Sequence, residues 1–186
     1  MQHKTGLLAS FAVVLAMALS LATGIAIAQQ VAPEAPFGDR VSGRIPYYHR
    51  AAPTIATAGR LGRLGVIEAK AVGFRSILNL GPSKSAAGLD DASLANYALL
   101  QYFSVPASEP PTREQIDEVR RILDAVENGP ILIYGIDEDQ AAAVWALVRA
   151  AAGVPPELAL QEGLTAGLRK RLPAVREGLA PPQPSR

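Results

Sequence analysis

Three carboxylates stand in a row at Asp137, Glu138 and Asp139. They follow a short apolar run, Ile131-Leu132-Ile133-Tyr134, and precede a stretch from Gln140 to Ala152 that reads as a helix. At such a strand-to-helix turn the backbone N–H groups converge and the helix dipole favours negative charge. Asp137 can there act as a carboxylate nucleophile, a chemistry that calls for a bound magnesium ion and a cation against the substrate. Asp137 and Asp139 can instead hold a divalent cation weakly. The plainest reading is a solvated cluster that caps the helix, with Asp139 at the cap or in the first turn. The loop carries no Lys or Arg beside its acids. His49, next to Arg50, follows a first strand and can line the same cleft; its plainer role is a hydrogen-bonded loop histidine.

Composition removes several alternatives. The chain has 186 residues, room for one domain plus a targeting segment, and no cysteine. Disulfides, a thiolate zinc site, a lipoprotein anchor and a thiol nucleophile are excluded. The two histidines, His3 and His49, are too far apart in sequence for a multi-histidine metal site. Eighteen basic residues against 17 acidic ones give no basic excess for nucleic acid. No cofactor is expected.

The elements that must position the acids follow from periodicity and punctuation. Ile45 to His49 reads as a short strand. Thr57 to Val72 reads as a helix, with Leu61, Leu64, Ile67 and Ala71 as its stripe and Gly73 as its stop. Phe74–Leu80 and Gln101–Val105 read as strands, separated by a short helix capped by Asp90 or Asp91. Thr112 and Gln115 form a capping-box pattern that opens a helix ending at Gly129-Pro130. Ile131–Tyr134 suits a central strand buried on both faces, and Trp145 faces inward on the helix after it. A last helix begins near Pro155-Pro156-Glu157, and the basic run Arg169-Lys170-Arg171 reads as a solvated helix end. Alternating strands and helices predict an α/β domain with a central, mostly parallel sheet flanked by helices on both faces. The ligand site then lies beyond the carboxyl ends of the strands.

The N-terminus is a different kind of segment. Lys4 precedes an apolar stretch from Gly6 to Ala28 that ends in Ala26-Ile27-Ala28. Residues 1–28 read as a secretory signal peptide, or as an uncleaved N-terminal anchor. Residues 29–44 read as a flexible tether, 45–176 as the domain, and 177–186 as a disordered Pro-rich tail. The domain is therefore expected outside the cytoplasm, periplasmic or secreted. It would touch the membrane only through an uncleaved N-terminal segment.

The order of several short segments resembles a known family. They are Ile55–Leu61, Val72–Leu80, Tyr102–Pro106, Pro111–Gln115 and Gly129–Tyr134, resuming at Ala141–Leu147. They are similar to bacterial tyrosine-phosphatase-like proteins, related to the phosphatase-like domain of β-lactamase-hydrolase-like proteins within the cysteine-phosphatase superfamily, and the resemblance covers residues 45–170. The resemblance implies a single cysteine-phosphatase-like domain whose loop after the central strand reads His-Cys, four residues, then Arg. Carried over, the histidine position is Tyr134 and the cysteine position is Gly135. The intervening residues are Ile136, Asp137, Glu138 and Asp139, and the arginine position is Gln140. Glycine has no nucleophile, and glutamine lacks the guanidinium fork. Glu109 falls in the loop where such phosphatases place a general acid; its plainer reading is an exposed loop glutamate.

The resemblance thus implies a degenerate phosphate loop, and a pseudophosphatase with a binding or regulatory role is expected. Its partner would be an unknown protein or small ligand in the periplasm. The rival expectations are a phosphoric-ester hydrolase with rewired acid- or metal-dependent chemistry, and a structural envelope module.

Overall fold

The computed structural model describes residues 33–82 and 90–180. The expected leader at 1–28, the loop at 83–89 and the end of the tail at 181–186 lie outside the described residues. Among those described, no helix is long and apolar enough to cross a membrane.

Five four-residue strands make one sheet: β1 His49–Ala52, β2 Ile55–Ala58, β3 Ser76–Asn79, β4 Gln101–Ser104 and β5 Ile131–Tyr134. Their order is β1-β2-β5-β3-β4, with β1 antiparallel to β2 and every other pair parallel. Six helices flank it: α1 Arg63–Ala71, α2 Asp91–Tyr97, α3 Arg113–Asp124, α4 Glu138–Ala151, α5 Pro156–Thr165 and α6 Leu172–Leu179. The α/β architecture read from the alternation of elements is the one observed.

β5 shows why the apolar run had to be central. Its four side chains are all buried. Side chains alternate across a strand, so Ile131 and Ile133 enter one core while Leu132 and Tyr134 enter the other. The first core is roofed by α3, α4 and α6, including inward-facing Trp145. The second lies under α1 and α2. Helix α3 starts as its sequence requires: Thr112 accepts the N–H of Gln115 and the Gln115 side chain accepts the N–H of Thr112. Asp90 caps α2 by accepting from Ala92 and Ser93.

Five expectations need correction. The helix expected over 57–72 is two elements, because Ile55–Ala58 pairs with strands on both sides. The turn between them is tight: a Cβ on Gly59 would meet the Tyr47 ring at 3.2 Å and the Pro46 carbonyl at 3.5 Å. The expected stripe is also one position out of phase. Leu64 and Ile67 are exposed, whereas Gly65, Val66, Glu68 and Ala69 are buried. Gly65 sets that phase, since a Cβ there would lie 2.6 Å from the carbonyl of Arg44.

The strand placed at 45–49 starts at His49, after Tyr47 adopts a positive φ of 52°. The packed chain begins before residue 45: Ala35 is buried, and its N–H donates to the Pro53 carbonyl at 2.7 Å. Ser42 ties the same segment to buried Glu68 through its N–H and hydroxyl. At the other end, α6 runs to Leu179 and buries Val175, so regular structure passes the boundary expected at 176.

Candidate functional site

The loop from Gly135 to Asp137 leaves the carboxyl end of β5 and enters α4. Asp137 is the N-cap: its Oδ1 accepts the N–H of Gln140 at 2.8 Å. That cap starts the helix at Glu138, two residues ahead of the position expected from periodicity. Gln140 is 4% exposed. Its side chain folds back over the loop, where Oε1 accepts the N–H of Ile136 at 2.9 Å. Its amide nitrogen reaches the carbonyl of Ala107 at 3.4 Å. A Cβ on Gly135 would stand 2.7 Å from that Oε1 and 3.0 Å from the Asp137 carbonyl. The space where a side chain at 135 would begin is occupied by Gln140.

The three acids do not face one ligand. Asp139, 4% exposed, turns toward the segment between α5 and α6. Its carboxylate accepts the backbone N–H groups of Arg169 and Arg171, the latter at 3.0 Å. It also accepts from Nη1 of Arg171 at 2.8 Å. Burial pushes its carboxyl up, but these donors and the nearby guanidinium outweigh burial and hold it below the ordinary carboxylate range. Glu138 packs along Gly167, whose positive φ of 110° turns the chain after α5.

Arg171 is the residue that reading the sequence missed. The loop has no cation of its own, yet this guanidinium reaches it from more than thirty residues along the chain. Nη1 contacts both Asp137, at 2.9 Å, and Asp139. Nε and Nη2 both donate to Oε1 of Glu109, with Nε at 3.0 Å. Burial alone would lower the Arg171 pKa; the three carboxylates reverse that and raise it above its ordinary value. The side chain is 17% exposed. The expectation of a solvated basic run is corrected at this position: Arg171 closes the acid loop instead of pointing into solvent. Glu109 is likewise corrected from a plain loop glutamate to one member of this cluster. The available clue was the set of loop acids with no local counter-charge.

His49 goes elsewhere. It shares a polar hollow of about 300 Å³ with Tyr47, Glu138 and Arg169. Burial lowers its pKa. The structure thus gathers Glu109, Asp137 and Asp139 on Arg171, and sends His49 and Glu138 to a second depression.

Beneath the loop lies a further polar network. The Tyr134 hydroxyl donates to buried Asp91 at 3.1 Å, and the Asn79 amide donates to the same oxygen at 3.1 Å and to the Tyr102 hydroxyl at 3.2 Å. Asn79 also accepts the N–H of Gly81 at 2.8 Å. Burial raises the pKa of Asp91 against the opposing effects of the Tyr134 hydrogen bond and the Arg60 charge. Tyr134, 1% exposed, is raised by burial and then by the Asp91 carboxylate. The network anchors the ends of β3 and β5, from which the loop springs.

No family model and no curated protein matches the sequence. Solved structures do. A DUF442 phosphatase candidate from Shewanella putrefaciens CN-32 is 20% identical, with a TM-score of 0.61 over 73% of this chain and 87% of its own. TpbA from P. aeruginosa, crystallised as a Cys-to-Ser variant with phosphotyrosine, is 19% identical, with a TM-score of 0.59 over 81% and 95%. A phosphatase candidate from Neisseria meningitidis Z2491 is 13% identical, with a TM-score of 0.57 over 74% and 99%. At such identities the likeness speaks for architecture: this chain has the fold of the cysteine-dependent tyrosine phosphatases.

Proposed function

We propose that this chain is an exported tyrosine-phosphatase-like domain that does not transfer phosphoryl groups and serves as a binding or regulatory module. The observation that carries the reading is the hydrogen bond from the Ile136 N–H to Gln140 Oε1. A phosphate-binding loop needs its N–H groups open to the anion. Here the protein's own side chain takes one of them, at the position the family resemblance gives to arginine. Gly135 supplies no nucleophile beside it. The cation that does reach the loop, Arg171, is bonded to three carboxylates. A phosphate dianion would have to break those bonds and sit among like charges, which repel by about 4 kcal/mol per pair near 4 Å at an effective dielectric of 20. Export is supported by the apolar leader-like stretch from Gly6 to Ala28.

The test is turnover of 4-nitrophenyl phosphate and of a phosphotyrosine peptide, with phosphate and phosphotyrosine titrated in thermal unfolding. The expected result is no hydrolysis above buffer and no shift of Tm. One observation favours a second reading, acid-based hydrolysis: Arg171 stands 2.9 Å from Asp137, the cation that a carboxylate nucleophile requires. Turnover abolished by Asp137→Asn would establish that reading and remove the first.

A further inference from the structure

The stripe that α1 turns outward has apolar neighbours. Leu64 and Ile67 stand one turn apart on its exposed side. Tyr97, the last residue of α2, is 73% exposed, and Leu99, two residues on, is 77% exposed. Both helices bury their other faces in the same core, α1 through Val66 and Ala69 and α2 through Ala95. Their outer faces therefore look away from the sheet on the same side. Lys70 joins them: its Nζ donates to the carbonyl of Leu99 at 2.8 Å. Ile67 lies one turn before Lys70, so α1 and the end of α2 meet around one fixed ammonium.

Leu99 is held out at a cost. Its φ of 57° is in the left-handed region. The N–H of Leu100 donates to the Ala95 carbonyl and that of Leu99 to the Asn96 carbonyl. These are the two bonds of a helix end that ordinarily takes glycine at this position. A leucine there bears the strain of its Cβ and, standing in solvent, gains no packing in return. A large apolar side chain in a glycine position, beside other exposed apolar residues, marks a surface kept for contact.

The charges around it are basic. The Lys70 ammonium meets a carbonyl and no carboxylate. Arg63 opens α1, and Arg75 is fixed beside Leu99 because its carbonyl accepts the N–H of Gln101 at 2.9 Å. Both arginines are exposed and, among the described residues, form no ion pair. The acids of the two helices are engaged elsewhere. Glu68 is buried, bonded to Ser42 and paired with Arg44. Asp91 is buried against the Tyr134 hydroxyl, and Asp90 holds the cap at the opposite end of α2. Glu127 follows α3, which covers the other face of the sheet. A second copy of the same face would set cation against cation, so charge disfavours self-association. Leu, Ile and Tyr ringed by Lys and Arg is the composition of a surface that lies in lipid headgroups, apolar groups at the acyl boundary and cations on the phosphates.

We infer that the α1–α2 face seats this domain peripherally on an anionic lipid surface, with Leu64, Ile67, Tyr97 and Leu99 in the interface and Lys70 among the headgroups. The contact is additional to the one expected through the N-terminus. Leu99 and Arg75 stand at the amino ends of β4 and β3, whereas the degenerate loop leaves the carboxyl end of β5. The face is thus separate from that loop, and the inference stands whether or not the loop turns over phosphate esters.

The chain has no cysteine, so an introduced thiol is unique. The full chain carrying Asn96→Cys, at the exposed end of α2, or Arg121→Cys, on α3, is labelled with an environment-sensitive fluorophore. Each is titrated with vesicles of equal parts phosphatidylglycerol and phosphatidylcholine, and with vesicles of phosphatidylcholine alone. On the anionic vesicles the Asn96 label is expected to shift to the blue and to be quenched by shallow spin-labelled lipid, with little response on the neutral ones. The Arg121 label should report water on both. In the Asn96→Cys chain, Leu99→Gly should weaken binding about tenfold while leaving the unfolding midpoint unchanged or higher, because glycine suits the left-handed position. Arg63→Gln together with Arg75→Gln should weaken it about thirtyfold, on the order of fivefold per lost charge, and added salt should weaken it further. An Asn96 label that ignores anionic vesicles, equal responses from the two labels, or undiminished binding in Leu99→Gly overturns the inference. So does an equal shift of the Asn96 label with soluble poly-glutamate, which would assign the face to an acidic protein.

Discussion

Gln140 and Gly135 are in effect one structural unit: the side-chain oxygen of Gln140 lies 2.7 Å from the point where a Cβ on residue 135 would stand. The same oxygen accepts the Ile136 N–H. The two substitutions that the family resemblance locates in the loop are therefore sterically coupled. Glycine leaves the room, and the glutamine amide uses it.

Gly135→Cys should accordingly fail as a rescue. The new side chain meets Gln140 and the Asp137 carbonyl, and forced overpacking of this kind costs about 1–3 kcal/mol. We expect a lower urea midpoint and no release of 4-nitrophenol. Full stability together with hydrolysis would mean that the loop opens readily and is not self-filled.

Arg171→Met removes the guanidinium contact of Asp139, whose side chain is 5% exposed. Leaving a buried carboxylate without its partner should cost about 3 kcal/mol. Arg169→Gln is the control. Its guanidinium donates to the carbonyls of Leu164 and Leu168 and, among the described residues, to no carboxylate, so the loss should stay near 1 kcal/mol, roughly that of an ordinary hydrogen bond. Chemical unfolding of both variants tests the ordering, and equal losses would remove Arg171 from its assigned role.

Two buried acids should give opposite pH slopes. Asp139 is held below its ordinary pKa in the fold. Its contribution is complete above the unfolded value of about 3.9 and is lost as pH falls through the lower folded value. Asp91 is raised by burial. Its protonated form is favoured in the fold, so its contribution is greatest below about pH 3.9 and declines as pH rises through its folded value. Asp139→Asn should flatten the acid limb of the stability curve. Asp91→Asn should flatten the limb above it and raise stability at neutral pH. Unfolding midpoints measured from about pH 3 to pH 8 separate the two.

Gln115 ties α3 to the loop that precedes it. Its side chain closes the capping box, accepts the Ser108 N–H at 3.1 Å and donates to the Pro106 carbonyl at 2.8 Å. Thr112→Ala should cost about 1 kcal/mol as an ordinary cap loss. Gln115→Ala loses the cap and the loop bonds together, and should cost roughly twice that. Identical losses in calorimetric unfolding would show that the loop bonds contribute nothing.

Much of the framework was legible in the residues themselves. Ile131–Tyr134 is apolar at every position, and a strand buried on both faces has to be. Thr112 with Gln115, and Asp90 ahead of α2, cap their helices because a cap is a contact between near neighbours. The helical stripe at 61–71 misled because periodicity fixes a repeat and not its phase. The phase was set by Gly65 against the Arg44 carbonyl, a contact with a segment that carries no periodicity.

Composition alone rules out one chemistry: a chain without cysteine cannot form a phosphocysteine, whatever its fold. The order of the residues determined where strands and helices alternate, since those signals act over a few residues. What fills the loop is set by contacts made far apart along the chain. Asp139 and Arg171 are 32 residues apart, and their pairing depends on Gly167 turning the chain back after α5. The direction of the Gln140 side chain, away from solvent and onto the Ile136 amide, depends on the backbone of the loop it closes. Charges and amides of this kind pair with whichever partner packing brings near them, so the occupied loop becomes visible once the chain is folded.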